Sequence, residues 1–336
     1  MPAAGFTRSS ERPDDDRVLR WRGLEATPGD LGRTVITVGM YDGVHRGHQE
    51  LIGTAIARAR AMRRPCLLLT FDPHPAEVVR PGSHPAILTS LDRKAELVAE
   101  LGVDAMCVLP FTEEFSRLSP ETFTHSVLVE QLHAAQVVVG ENFTYGHKAA
   151  GTVESLRAEG RRFGFAVEGI ALAEEASDGG EVTISSTYVR ACVAAGDMVS
   201  AAHALGRPHR VDGVVVRGDR RGRDMGYPTA NVESPAFTAI PADGVYAGHL
   251  VTRDPRSGAS RERFPAAISV GSNPTFQGSR RTVEAFVLDY DGDLYGEHVG
   301  VEFVQRLRAM AAFPDVGALL AAMAKDVTET RSILGM

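Results

Sequence analysis

The sequence predicts an α/β domain built on a parallel sheet, followed by a small antiparallel β-barrel with a C-terminal helix. Three observations predict it. Between residues 34 and 170, short apolar runs alternate with helical patterns, as strands joined by crossover helices do. After residue 206 the helices stop, and short strands follow one another across Gly, Pro, Asn and Asp clusters, the signature of a barrel. The chain has 336 residues, 43% hydrophobic and 24% charged. That is enough for two cores at about 150 residues per domain.

The elements follow in order. Residues 1–17, which contain the run Asp14-Asp15-Asp16, lack an apolar signal core and are expected to form a loose tail. The apolar runs are Thr34–Val38, Cys66–Phe71, Ala105–Leu109, Gln136–Val139 and Phe165–Ile170. Helical patterns fall between them at 48–63, 89–101, 119–133 and 152–160. Thr89 or Ser90 caps the second, and Ser119-Pro120-Glu121 opens the third with a cap, an N1 proline and an early acid. Strands apolar throughout imply a sheet covered on both faces, which binds ligands outside the carboxyl ends of its strands. A short helix stops at Leu205-Gly206-Arg207-Pro208, where glycine releases it and proline cannot continue it. The division therefore runs 18–205 and 206–336. Barrel strands are expected at Val211–Arg217, Gly244–Thr252, Ala266–Val270, Thr282–Tyr290 and His298–Val304. A final amphipathic helix is expected from Asp315 to Ile333, on the spacing of Val316, Leu319, Leu320, Met323 and Val327.

Composition excludes several classes. With Lys+Arg 36 against Asp+Glu 43 the net charge is −7, which argues against a general nucleic-acid coat. An anionic ligand would need positive charge concentrated locally. The cysteines Cys66, Cys107 and Cys192 form no CxxC pair and read as small hydrophobes, without a disulfide framework or zinc site. No run of 18 apolar residues suggests a membrane span. The expectation is a cytoplasmic protein with neither membrane nor nucleic-acid partner, as a monomer or weak homo-oligomer.

Two constellations carry chemistry. The first strand runs into Gly39-Met40-Tyr41-Asp42-Gly43-Val44-His45-Arg46-Gly47-His48. His45 and His48 share one face of the first helical turn, and Gly47 clears a path to the backbone. The helix N-terminus offers unpaired N–H groups, a natural phosphate site. Attack on an α-phosphate with departure of pyrophosphate suits such a place, because it needs alignment and charge stabilisation rather than a covalent group. Phe71-Asp72-Pro73-His74-Pro75 and Val139-Gly140-Glu141-Asn142 end two further strands, and Ser185-Ser186-Thr187 with Arg190 opens a later helix. Taken singly these have plainer readings: a stiff turn at His74, a turn residue at Asn142, an N-cap at the serines.

The second constellation spans Arg217 to Asn231. Gly218, Gly222 and Gly226 punctuate a basic loop containing Arg220, Arg221 and Arg223, which can surround phosphates. Thr229 and Asn231 carry neutral oxygens suited to a magnesium ion that keeps most of its water. Glu284 is a lone carboxylate in the apolar strand Val283–Leu288. If it faces the barrel mouth it can take a proton from a substrate hydroxyl during phosphoryl transfer. Otherwise it is a solvent-facing carboxylate.

The HxGH segment resembles the nucleotidylyltransferase superfamily. The whole pattern, from Trp21-Arg22-Gly23-Leu24 to the C-terminal helix, resembles the bacterial bifunctional riboflavin kinase/FAD synthetase (FMN adenylyltransferase) family. The resemblance implies that the C-terminal domain makes FMN from riboflavin and ATP, with Thr229 and Asn231 at the Mg2+-ATP positions and Glu284 as base. It implies that the N-terminal domain joins FMN to the AMP of ATP, giving FAD and pyrophosphate. His45 and His48 would act on the ATP phosphates, with Gly47, Ser186, Thr187 and Arg190 beside them and His74 and Asn142 at site positions. Gly218, Arg223 and Gly226 would hold phosphates in the kinase half. Three departures stand out: Tyr41 after Met40 where phenylalanine is usual, Thr183 where many members carry arginine, and Asn273 where arginine is common. A single-activity paralogue with only the kinase, or a non-catalytic flavin or nucleotide binder, are the alternatives.

Overall fold

The computed structural model describes residues 18–171, 174–177, 180–218, 226–253, 260–275 and 278–336. The expected tail and the loop residues Arg220, Arg221 and Arg223 lie outside them. Contacts divide the chain into two units, one of residues up to 85 with 91–184, the other of 86–90 with 185–336.

In the first unit, β1 (Leu19–Arg22), β2 (Thr34–Val38), β3 (Cys66–Asp72), β4 (Ala105–Pro110) and β5 (Ala134–Gly140) precede two short strands. These are β6 (Thr144–Tyr145) and β7 (Gly151–Thr152), which pair with each other; β8 (Ala166–Ile170) follows. The main sheet has the order β1-β4-β3-β2-β5-β8, parallel throughout. Alternation along the strands sorts their side chains into two apolar layers. Ile36, Leu67, Leu69, Cys107, Val137 and Val139 fill one face. Val35, Cys66, Leu68, Met106, Val108 and Val138 fill the other. The central strands are thus buried on both sides, as a parallel sheet requires. A separate hairpin, β9 (Glu174–Ser177) with β10 (Gly180–Thr183), closes the unit.

The helices are α1 (Arg46–Met62), α2 (Pro75–Val79), α3 (Leu91–Leu101), the short α4 (Glu113–Ser116) and α5 (Pro120–Thr122), and α6 (Val153–Phe163). α1 buries Leu51, Ile52, Ala55, Ile56 and Ala59, one stripe against the second layer. It ends at Arg63, whose left-handed φ of 53° turns the chain back toward β3. α6 begins with a capping box between Thr152 and Ser155 and stops at Gly164 with φ 77°. The helix expected at 119–133 forms differently. Ser119 caps α5 as the sequence suggests, but Phe123–Gln131 continues as a π-helix.

In the second unit, α7 (Ser186–Ala195) and α8 (Met198–Leu205) lead into six strands. These are β11 (His209–Val216), β12 (Ala230–Glu233), β13 (Gly244–Arg253), β14 (Ser260–Thr275), β15 (Gly278–Val287) and β16 (His298–Arg308). They close a barrel in the order β11-β12-β15-β14-β13-β16, each described pairing antiparallel. Tyr246, Leu250, Ile268, Val270, Val301 and Phe303 are buried, with Tyr246 and Phe303 edge-to-face at 5.3 Å. α8 stops at Gly206, φ 71°, as its sequence predicts. The last helix, α9 (Val316–Leu334), is capped by Asp315, which accepts from the Ala318 N–H at 2.7 Å. Its buried Asp326 receives the Arg308 guanidinium of β16 at 2.9 and 2.7 Å, tying helix to barrel.

All three cysteines are free and buried. Burial pushes the Cys66 and Cys107 thiols up to about 12, and it raises Cys192 as well.

Candidate functional site

The first site grows from the sheet order. β2 lies between β3 and β5, and all three run parallel, so their carboxyl ends sit side by side. His45–His48 follow β2, His74 follows β3 and Asn142 follows β5.

The turn after β2 is unusual in its backbone. Tyr41, Gly43 and Val44 have φ of 47°, 84° and 41°. A β-branched residue such as Val44 resists that region, so the turn must be held from outside. Several bonds hold it. The Val44 N–H donates to the Tyr41 carbonyl at 3.2 Å, and the Gln49 amide donates to the Val44 carbonyl at 2.9 Å. The Tyr41 ring folds back over Gly39, where a Cβ would lie 3.1 Å from it, and its hydroxyl bonds Thr37 Oγ1. Lys94 of α3, buried, donates to the Met40 carbonyl at 2.7 Å. The turn delivers His45 to the N-cap of α1, where Nδ1 accepts from the His48 N–H at 3.3 Å. With Nδ1 accepting, the neutral ring carries its proton on Nε2. The two imidazoles stack with centroids 3.6 Å apart, and Tyr41 meets His48 edge-on at 5.1 Å.

His74 also caps a helix, accepting from the Ala76 N–H at 3.1 Å at the start of α2. Gly140 makes room for Asn142: a Cβ there would lie 3.0 Å from Asn142 Oδ1 and 3.8 Å from Leu51 of α1. Ser186, Thr187 and Arg190 fall in the second packing unit. There Ser185 is the N-cap of α7, accepting from the Tyr188 N–H at 3.2 Å, and Arg190 Nε donates to the Ala86 carbonyl at 2.6 Å.

The second site lies in the barrel unit. A cavity of about 720 Å³ is lined by Gly218, Thr229, Asn231 and Glu284, with Arg281 and the segment Tyr290–Tyr295. Pairing β12 to β15 sets Asn231 opposite Glu284, and Glu284 accepts from the Thr229 hydroxyl at 3.3 Å. A Cβ on Gly218 would lie 2.5 Å from the Asn231 amide, so only glycine lets the backbone close over that side chain. Gly226 has φ 83°, a left-handed turn with open space around it. Arg223 lies outside the described residues. Among those described, no group of three His, Cys, Asp or Glu could hold a metal ion.

The sequence reading missed two contributors. The segment Tyr290-Asp291-Gly292-Asp293-Leu294-Tyr295, at and past the end of the expected strand and not singled out in the sequence, forms one cavity wall. Arg217 lies over the Tyr295 ring at 5.7 Å, and this aromatic beside an acidic turn was the available signal. Lys94 falls in the helical pattern at 89–101 without being singled out there, and it is 5% exposed.

The FAD synthetase family model matches residues 27–188, and the riboflavin kinase family model matches 205–334. A bifunctional riboflavin kinase/FMN adenylyltransferase from Listeria monocytogenes is 37% identical over 89% of this chain and 91% of its own. The protein of that description from Escherichia coli K12 is 33% identical over 90% and 93%. This chain belongs to the bifunctional riboflavin kinase/FMN adenylyltransferase family. The fold agrees with a crystal structure, described as a macrolide-efflux protein from Streptococcus pneumoniae, at TM-score 0.80 and 30% identity over 94% of this chain and 99% of that one. No helix among the described residues is long and apolar enough to cross a membrane. For a member of this bifunctional family, the His45–His48 turn falls in the first matched segment and the barrel cavity in the second.

Proposed function

We propose that the chain phosphorylates riboflavin to FMN in its barrel and adenylylates FMN to FAD at the carboxyl edge of its parallel sheet. The observation that carries the kinase reading is Glu284 opposite Asn231 and 3.3 Å from Thr229, on the wall of a 720 Å³ cavity. A carboxylate there can accept the proton of the ribityl 5′-hydroxyl as its oxygen attacks the γ-phosphorus of ATP and ADP departs. The Gly218 backbone and Arg217 would border the phosphates, and Gly226 and Arg223 are assigned to the same role on their family motif. Thr229 and Asn231 would hold Mg2+. Their neutral oxygens beside one carboxylate fit an ion that takes its remaining ligands from water and phosphate. When bound, that ion neutralises charge on the transferring phosphoryl group.

At the sheet edge, an FMN phosphate oxygen attacks the α-phosphorus of ATP and pyrophosphate leaves. The protein's part is positioning and charge stabilisation. The α1 N-terminus, Gly47 and the stacked His45 and His48 would hold the phosphates. His74 and Asn142, from the neighbouring strand ends, would border the nucleotide or flavin. We assign Ser186, Thr187 and Arg190 to the pyrophosphate side on their family motif. The same reading gives a boundary at 205/206, a cytoplasmic location consistent with three free thiols, small-molecule partners only, and a monomer or weak homo-oligomer.

The test is purified protein with riboflavin, ATP and Mg2+, products separated by chromatography. FMN together with FAD is expected. FMN alone would leave a kinase with a silent second site, and neither product would overturn both assignments.

A further inference from the structure

We propose that Lys94 is a positioning residue for the adenylyl-transfer site: its buried ammonium ties the end of β2 to β3 and α3, and so holds the turn that aims His45 and His48. The inference rests on the assignment of those histidines to the ATP phosphates.

Lysines are almost never fully buried without partners. Lys94 is 5% exposed, and Nζ donates to the Met40 carbonyl at 2.7 Å and lies 3.5 Å from Thr70 Oγ1. The Thr70 hydroxyl donates to that same carbonyl at 3.3 Å. Donors from two elements, α3 and β3, therefore converge on one backbone oxygen just past β2. The next residue is Tyr41, where the left-handed turn begins. Loss of the tie leaves Met40 with the longer Thr70 bond of 3.3 Å, which weakens the restraint at the start of the turn and lets the cap residue His45 and its stacked partner shift.

Packing alone does not call for an ammonium here. A methionine or leucine fills such volume without the cost of desolvating a charge. Asp42, in the turn and 4% exposed, and Asp72, at the end of β3, supply the opposing charge. Asp72 also meets Arg22 of β1 at 3.1 Å, and on α3 itself Arg93 pairs with Glu96 at 2.8 Å. Burial lowers the Lys94 ammonium to about 8 against the pull of these acids. Its charge is therefore present at neutral pH and lost as pH rises through that value. A group that only filled space would leave no such mark on the rate.

The experiment compares the parent full-length chain, Lys94→Met and His48→Ala, measuring FMN adenylylation and riboflavin phosphorylation on each preparation from pH 7 to 9.5. Lys94→Met is expected to lose about 10²-fold in adenylylation kcat, the scale of a 1 Å misplacement, while phosphorylation stays within about twofold. The parent's adenylylation kcat should fall through about pH 8, and this limb should vanish from the residual activity of Lys94→Met. Adenylylation by Lys94→Met within about threefold of the parent would overturn the proposal. Should the variant lose both activities through misfolding, the parent's profile decides, and an adenylylation rate flat to pH 9.5 overturns it. His48→Ala separates the two claims. If it retains adenylylation, the histidine assignment fails; if it loses adenylylation while Lys94→Met keeps it, only the lysine proposal fails.

Discussion

Glu284 is a single carboxylate among Val283, Ala285 and Phe286, and without the neighbouring Thr229–Asn231 motif the strand favours reading it as a solvated residue. The register with Asn231 and the Thr229 hydroxyl set it on the cavity wall. Glu284→Ala should therefore abolish riboflavin phosphorylation while FMN supplied directly is still adenylylated; equal loss of both would refute the division of labour. Tyr41 looks like a conservative exchange for phenylalanine, yet its hydroxyl bonds Thr37 inside the sheet domain, and burial raises its pKa so that it stays neutral. Removing the hydroxyl leaves a buried Thr37 oxygen unsatisfied. Tyr41→Phe should cost about 1–2 kcal/mol in denaturant unfolding, and Thr37→Val in the same chain should recover most of it. The histidine pair was legible from its three-residue spacing, because helical geometry leaves it little freedom. Lys94 was not, because the bond it makes is to a backbone carbonyl 54 residues away.

Among the elements, long apolar runs were legible and short strands were not. β2 was read to the residue, since five consecutive buried positions leave no other period. β1 escaped because Leu19-Arg20-Trp21-Arg22 is a four-residue edge strand, with both arginines and Leu19 exposed. β12 escaped because Thr229-Ala230-Asn231 is read with the basic segment from Arg217 to Asn231 and not as a strand. What makes it a strand is its neighbours β11 and β15, a tertiary cause outside the local pattern. One barrel element carries a sharper demand. The β13–β16 register shifts at Ala247/Gly248, and a Cβ on Gly248 would lie 2.0 Å from the Glu302 carbonyl oxygen. Gly248→Ala should destabilise the barrel by about 3 kcal/mol. Differential scanning calorimetry would read this as a lowered transition, with FMN adenylylation outlasting phosphorylation on heating.

For the whole molecule, the sequence divides the chain at 205/206, and the family matches leave residues 189–204 between them. Packing places α7 and α8 with the barrel, where the Ala242 N–H donates to the Val193 carbonyl at 3.3 Å and a Cβ on Gly196 would meet the Tyr246 hydroxyl at 2.7 Å. Family and contact divisions therefore part at Ser186 and Thr187, while Arg190 lies between the two family matches and packs with the barrel. Because the residues proposed for phosphorylation and for adenylylation are distinct, the two half-activities should complement. A mixture of Glu284→Ala and His48→Ala should convert riboflavin to FAD after a lag, with free FMN rising first; failure while each retains its single activity would mean FMN does not reach a second molecule. The acidic net charge is no obstacle to the proposed sites, which call for positive potential only locally, at the α1 N-terminus and at Arg217. The buried thiols have a practical corollary. With Cys66 and Cys107 protonated up to about pH 12 and Cys192 also raised, none offers an accessible thiolate. The wild-type chain should resist alkylation by maleimide, so one cysteine introduced at an exposed site such as Arg46 would take a fluorophore alone and report phosphate binding beside α1.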